Sequence, residues 1–383
     1  MKRVFSSVCC MGMLALLTAC GPKLSELADQ AMNDLVKELN AAGLSVAVVK
    51  DNKVVYTGAF GNKSIEEGSL IGTDDLFRIA SISKSFVATA MMQLYEQGKF
   101  GLDDDVSGAL GLVVRNPNYP DIPITYRMLL THTSSLNDTT GYFSFDVIDP
   151  QVTKEVWRAY NSYAPGTQYE YCNLGFNMLG ALVEIHSGER FDKYISKHIL
   201  QPLGIVGGYN VDELDSNKFV SIYEYRRGEF VHSPDAYRSR AAELENYVMG
   251  RKTPIFSPTG GMKIAPKDLA KHMLVQMNQG SWNGINILTP QSVALMQTPY
   301  EHPGVDAGYG FAIRTTEKLI EGELLKGHTG SAYGLYSAMF FEPVKGFGFV
   351  MMTNGYPVKY GENGFVTIQS DVINKLYEIF VKQ

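Results

Sequence analysis

Between residues 24 and 39, apolar side chains return at helical spacing. Leu24, Leu27, Ala28, Ala31, Leu35 and Leu39 fall on one side, which predicts an amphipathic helix. The period then shortens. Residues 45–49 and 54–59 predict two strands joined through Asp51-Asn52-Lys53, a hairpin signal. After a polar, turn-rich stretch, residues 86–94 are apolar almost without interruption and predict a buried helix ending near Gly98. From 99 to about 300 the pattern is mainly helical and irregular. A loop from 100 to 106 leads into a helix, Thr125 caps a short helix over 125–130, and longer helices are predicted over 173–185 and 265–277, the latter opened by Pro266. Strand character returns at 310–314, 324–326, 337–341 and 347–352, the last two linked by a turn at 342–346. Residues 365–381 close the chain as a helix with Val372, Ile373, Leu376, Ile379 and Phe380 apolar. Strands at both ends with helices between predict an α+β fold. One antiparallel sheet, built from both termini and flanked by the N- and C-terminal helices, carries a large, mainly helical insertion. The α/β part covers about 21–80 and 305–383 and the helical part about 81–304, in a single catalytic unit over 21–383.

The first twenty residues follow another logic. Lys2 and Arg3 form a short positive region, an apolar run extends to Leu17, and Thr18-Ala19 precede Cys20: the layout of a secretory leader. Leu17-Thr18-Ala19-Cys20 resembles a bacterial lipobox, which implies lipidation of Cys20, a mature chain that begins there, and membrane association through that anchor. Gly21 after the cysteine implies, by the same resemblance, the periplasmic face of the outer membrane over the inner. With Cys9 and Cys10 in the leader and Cys20 lipidated, Cys172 stands alone, so the mature protein is expected to hold together by its core without an internal disulfide. A formal net charge of −6 with no basic block argues against nucleic acid as a partner.

Candidate chemistry centres on Ser81-Ile82-Ser83-Lys84, the only S-x-x-K in the chain. A serine hydroxyl needs a neighbour to take its proton, and a lysine whose pKa is lowered by burial does this one helical turn away. A helix start at Ser81 would also point free N–H groups at a developing oxyanion. Two further motifs follow: Tyr171-Cys172-Asn173, the only Y-x-N, and His328-Thr329-Gly330-Ser331 at the entrance to a strand. Trp157 and the tyrosines at 160, 163, 169 and 171 cluster in sequence, either as core packing or as an aromatic pocket rim. No histidine pair has metal-ligand spacing, no serine has glycine at both −2 and +2, and neither a phosphate loop nor a dinucleotide fingerprint occurs. No metal and no cofactor is expected.

These motifs, in this order and framed by Leu129-Leu130-Thr131-His132-Thr133, Pro165-Gly166-Thr167, Thr259-Gly260-Gly261-Met262 and Gly308-Tyr309-Gly310-Phe311, resemble the serine β-lactamase and penicillin-binding-protein superfamily in its class C branch. The resemblance covers roughly residues 44–354. It implies a β-lactamase/transpeptidase-like fold, with Ser81 as nucleophile and Lys84 and Tyr171 sharing the proton it loses. Asn173 would hold Lys84 and the acyl-side amide, and the N–H groups of Ser81 and Ser331 would form the oxyanion hole. Thr329, with His328, Gly330 and Ser331, would meet the substrate. A lysine ammonium beside Tyr171 would favour its phenolate. His328 stands where class C β-lactamases carry lysine, and a mostly neutral histidine suits the carboxylate of a β-lactam less well. Cys172 reads as a spacer. The expectation is therefore an exported serine acyl-enzyme, of hydrolase, esterase or acyltransferase type. It would pass an acyl group from Ser81 to water or to an alcohol or amine, including a bulky apolar alcohol. The partners are then a small-molecule acyl donor and acceptor. A D-Ala-D-Ala carboxypeptidase or β-lactamase is one alternative, and a non-catalytic ligand-binding protein on the same fold is another.

Overall fold

The computed structural model describes residues 23–302 and 305–382. The leader and Cys20 lie outside them. Seven strands form the main sheet: β1 (Gly43–Lys50), β2 (Lys53–Ser64), β3 (Ser69–Leu70), β4 (Arg314–Thr316), β5 (Leu325–Ala332), β6 (Leu335–Glu342) and β7 (Phe347–Thr353). Their order is β4-β5-β6-β7-β1-β2-β3 and every pairing is antiparallel. The N- and C-terminal segments meet where β1 pairs with β7, Leu44 opposite Thr353. Asp51 and Asn52 sit in left-handed backbone, with φ of 51° and 59°, which two-residue hairpins require and which aspartate and asparagine tolerate.

Alternation along these strands divides the core. Leu44, Val46 and Val48 of β1 and Phe349 and Met351 of β7 face helix α1 (Leu24–Glu38) and the C-terminal helix α5 (Thr367–Phe380), meeting Ala28, Met32, Val372 and Leu376. Ala47, Val49, Val350 and Met352 point the other way. There they pack with helix α4 (Pro266–Met277), through Met273 and Leu274, and with the apolar helix α2 (Ser83–Glu96). A central strand covered on both faces reads as a continuous apolar run. In α1 the buried line begins only at Ala28, and Leu24 and Leu27 remain exposed.

The predicted strand over 310–314 is corrected: only β4, from Arg314, is strand. Gly310 N–H instead donates to Ile313 O at 2.7 Å and Ala312 has φ of 55°, so the segment turns. A side chain at Gly310 would come within 2.2 Å of Met296 O. Among the described residues no helix is long and apolar enough to cross a membrane.

Helix α3 (Asn173–Ser187) brings the Y-x-N segment to α2. Its far end is tied by Glu184, which is 1% exposed. The Glu184 carboxylate accepts from Phe191 N (2.8 Å), Tyr247 Oη (2.5 Å), Gly250 N (2.6 Å) and Thr253 Oγ1 (2.6 Å). Glu184→Leu strands four buried donors. The expected loss is roughly 3–5 kcal/mol, read as a lower urea midpoint with an unchanged m-value.

Candidate active site

The turn that carries Ser81 is held from two sides. Ile79 N–H donates to Met262 O (3.0 Å), and Ile79 O accepts from Ser337 Oγ of β6 (2.9 Å). Ala80 then takes a left-handed φ of 47°, and a short 3-10 turn, Ala80–Ile82, carries Ser81 immediately before α2. Ser81 thus precedes the α-helix proper, and Lys84 lies in its first turn. Gly330 of β5 explains how the sheet edge comes so close: a Cβ there would lie 2.2 Å from Ile79 O and 2.4 Å from Ser337 Oγ. Gly330 lines neither cavity at Ser81. Its part is to let β5 reach the turn that carries Ser81.

Lys84 is fully buried. Its Nζ donates to Ser81 Oγ at 3.2 Å, Asn173 Oδ1 at 2.8 Å and Thr259 O at 3.0 Å. Loss of solvent outweighs the opposing pull of Asp138 and brings its pKa down to about 7. Near neutral pH a large share of Lys84 is an amine with a free lone pair, already within hydrogen-bonding distance of the serine hydroxyl.

Tyr171 lies with its ring centroid 4.7 Å from Lys84 Nζ. The expected phenolate does not follow. The ring is fully buried, and this raises the phenol pKa well above its usual value; Ser81 opposes the shift only in part. Tyr171 Oη lies near Ser81 but makes no hydrogen bond of normal geometry. Burial favours the neutral form of both groups, leaving the proton on tyrosine and the lone pair on lysine.

Asp138 organises the neighbourhood and was not legible from sequence. The N-cap of α3, Cys172, offers no side-chain cap. Asp138 takes its place, accepting from Asn173 N (2.9 Å) and Leu174 N (2.9 Å), and from Asn173 Nδ2 (2.8 Å). Fixing Nδ2 turns Asn173 Oδ1 toward Lys84, and Thr259 Oγ1 donates to the same Oδ1 at 2.5 Å. Buried His132 accepts from Cys172 N at 3.1 Å and lies tilted against the Tyr171 ring, 4.4 Å between centroids. Cys172 itself is buried, and burial pushes its thiol pKa up, which suits a spacer and not a nucleophile.

On β5, His328 is buried and loss of solvent lowers its pKa to about 3. Its Nδ1–H donates to Thr329 O (2.5 Å), so Nε2 accepts from Tyr309 Oη (2.9 Å). Both ring nitrogens are engaged within the protein. His328 therefore positions Tyr309 and leaves no free cation for a substrate. Arg314, on neighbouring β4, stands over the Phe365 ring at 4.9 Å and forms no ion pair or hydrogen bond among the described residues. It is the positive charge on this wall, just beyond the Gly308-Tyr309-Gly310-Phe311 phrase.

Two cavities meet at Ser81. The larger, about 410 Å³, is walled by Tyr169, Tyr171, Tyr309, Arg314, His328 and Thr329. The smaller, about 270 Å³, includes Arg78, Tyr142, Phe143, Ser257, Thr259 and Tyr333. Asn173 and Ser331 border both. The tyrosine cluster thus divides: Tyr169 and Tyr171 line the larger cavity, Tyr160 is core, and Trp157 is 62% exposed. Among the described residues no group of three or more metal-ligating side chains occurs.

Similar proteins share this architecture. Protein flp of Staphylococcus aureus (strain MRSA252) is 23% identical over 321 residues, 82% of this chain and 59% of its own. The chain thus spans about three fifths of the length of that curated relative. EstCE1, described as a hydrolase with promiscuous acyltransferase activity, superposes with a TM-score of 0.72 at 21% identity, covering 92% of this chain and 98% of that one. The D-amino acid amidase of Ochrobactrum anthropi SV3 complexed with L-phenylalanine superposes with a TM-score of 0.69 at 20% identity, covering 93% and 98%. Likeness at this identity establishes the α+β fold. The family model described as Beta-lactamase matches residues 28–369, most of the chain, and the protein belongs to that family.

Proposed function

We propose that the protein is a serine acyl-enzyme that cleaves an ester or amide through acyl-Ser81. The observation carrying this reading is the buried Lys84 amine, 3.2 Å from Ser81 Oγ and held at a pKa of about 7. Lys84 takes the hydroxyl proton as Oγ bonds to the substrate carbonyl carbon. The oxyanion forms against the N–H groups of Ser81 and Ser331. As it collapses, the bond to the leaving group breaks. Tyr171 protonates the departing atom and is reprotonated from the Lys84 ammonium. Water, or an alcohol or amine seated in the larger cavity, then attacks the acyl-serine by the reverse of these transfers. Export and anchoring through Cys20 on the periplasmic face of the outer membrane belong to the same proposal and rest on the leader sequence.

Arg314 favours one narrower reading, a peptidase whose substrate ends in a carboxylate, D-Ala-D-Ala included. A bulky apolar alcohol as acceptor has the aromatic wall of Tyr169, Tyr171 and Tyr309 in its favour. The test is to expose the soluble protein to a nitrophenyl ester, a D-Ala-D-Ala peptide and a penicillin, quench, and map any added mass by peptide digestion. An adduct on the peptide containing Ser81, with the donor's acyl mass, is expected. An adduct confined to other residues, or none from any donor on a folded protein without turnover, would sink the proposal.

A further inference from the structure

Arg78 is 8% exposed, yet nothing nearby neutralises it. Its Nε donates to Gly260 O at 2.8 Å, and its guanidinium lies 5.0 Å from the Tyr333 ring centroid. Nη1 and Nη2 have no hydrogen-bond partner among the described residues, and no carboxylate pairs with the side chain. The charged side chain acting on it is another cation, Arg240. A largely buried guanidinium with no counter-charge, its two free donor groups open to the adjoining space, is placed to meet an anion. The place for one is the smaller cavity, which Arg78 lines with Tyr142, Ser257, Tyr333 and Ser81 itself. Ser257 is a second sign of a missing partner. It takes a left-handed φ of 52°, and its buried Oγ has no hydrogen-bond partner.

The chemistry of Ser81 says which end of a substrate enters here. Tyr171, proton donor to the leaving atom, lines only the larger of the two cavities. The leaving group therefore departs on that side and the acyl chain extends to the other. We propose that the cavity around Arg78 is an acyl-side carboxylate subsite, and that the preferred acyl group carries a second carboxylate bound by the Arg78 fork and the Ser257 hydroxyl. This rests on the acyl-Ser81 reading and adds the substrate class.

The test compares 4-nitrophenyl hexanoate with the mono-4-nitrophenyl ester of adipic acid, which differ in one terminal carboxylate. Wild type should favour the adipoyl ester by about tenfold or more in kcat/KM. Arg78→Gln should bring the ratio close to one and Arg78→Lys should restore part of it. Ser257→Ala, which leaves the buried guanidinium in place, should lower the ratio severalfold. A wild-type ratio of one or less, or an unchanged ratio in a folded Arg78→Gln, would overturn the proposal. Should neither ester acylate Ser81, the acyl-enzyme reading is decided by the other donors named above. Calorimetry on Ser81→Ala then decides the subsite: monomethyl adipate should bind and methyl hexanoate should not, and equal binding or none overturns it. If Arg78→Gln does not fold, the Ser257→Ala ratio and the calorimetry decide between the same two outcomes.

Discussion

Lys84→Met lowers kcat/KM for an activated ester by roughly 10³–10⁴-fold, close to the loss in Ser81→Ala, and the double variant is little worse than either. The two side chains act as one unit: without the amine the hydroxyl keeps its proton, and without the hydroxyl the amine has nothing to activate. In wild type the acid limb of kcat/KM should fall near pH 7, because only neutral Lys84 has a lone pair. Activity rises with pH through that value. The same group leaves a mark on stability. Its folded pKa is depressed from 10.5 to about 7, so between these values the unfolded chain binds the extra proton. Unfolding free energy then rises with pH across that window, by up to about 1.4 kcal/mol per unit. Lys84→Met lacks this slope. Urea midpoints of both proteins from pH 6 to 10 check it, and parallel curves would mean that Lys84 is not neutral in the fold.

Asp138→Ala should cost roughly 2–4 kcal/mol and about 10²-fold in kcat. Two N–H groups at the start of α3 lose their acceptor, and the Asn173 amide loses the contact that aims Oδ1 at Lys84. Asp138 also raises the Lys84 pKa against the larger effect of burial, so its removal should move the acid limb to lower pH. Asp138→Asn separates the roles. Asparagine keeps one acceptor for the helix start but turns an NH2 donor toward the groups the second oxygen served, so only part of the stability should return, while the charge is gone and the limb stays shifted. A limb that does not move in either variant would reduce Asp138 to a helix cap.

How far the sequence was legible follows from what each residue answers to. Strands β1, β6 and β7 were readable because burial on the sheet writes itself as runs and alternation of apolar residues, whereas of β5 only its first two residues fell within the predicted 324–326. Ser81, Lys84, Tyr171 and Asn173, which the fold brings together, could be singled out because the chemistry proposed for them restricts residue type and spacing. Asp138 could not. It is a polar residue in a loop, and its work is done on a partner 35 positions away. Arg78 and Arg314 had the same invisibility, since a cation means little until its missing counter-charge can be seen. The phenolate expected at Tyr171 failed for a related reason. Sequence places a lysine beside a phenol but does not report that burial shifts both toward their neutral forms.

The strand order has a consequence for how the chain is made. β1 lies between β2 and β7, so one edge of Val46-Ala47-Val48-Val49 stays open until residues 347–353 have been synthesised. A nascent or truncated chain ending before Phe347 holds an apolar strand with one edge unpaired, a ready template for intermolecular pairing. Nearly the whole polypeptide must therefore be available before its first strand is paired on both edges.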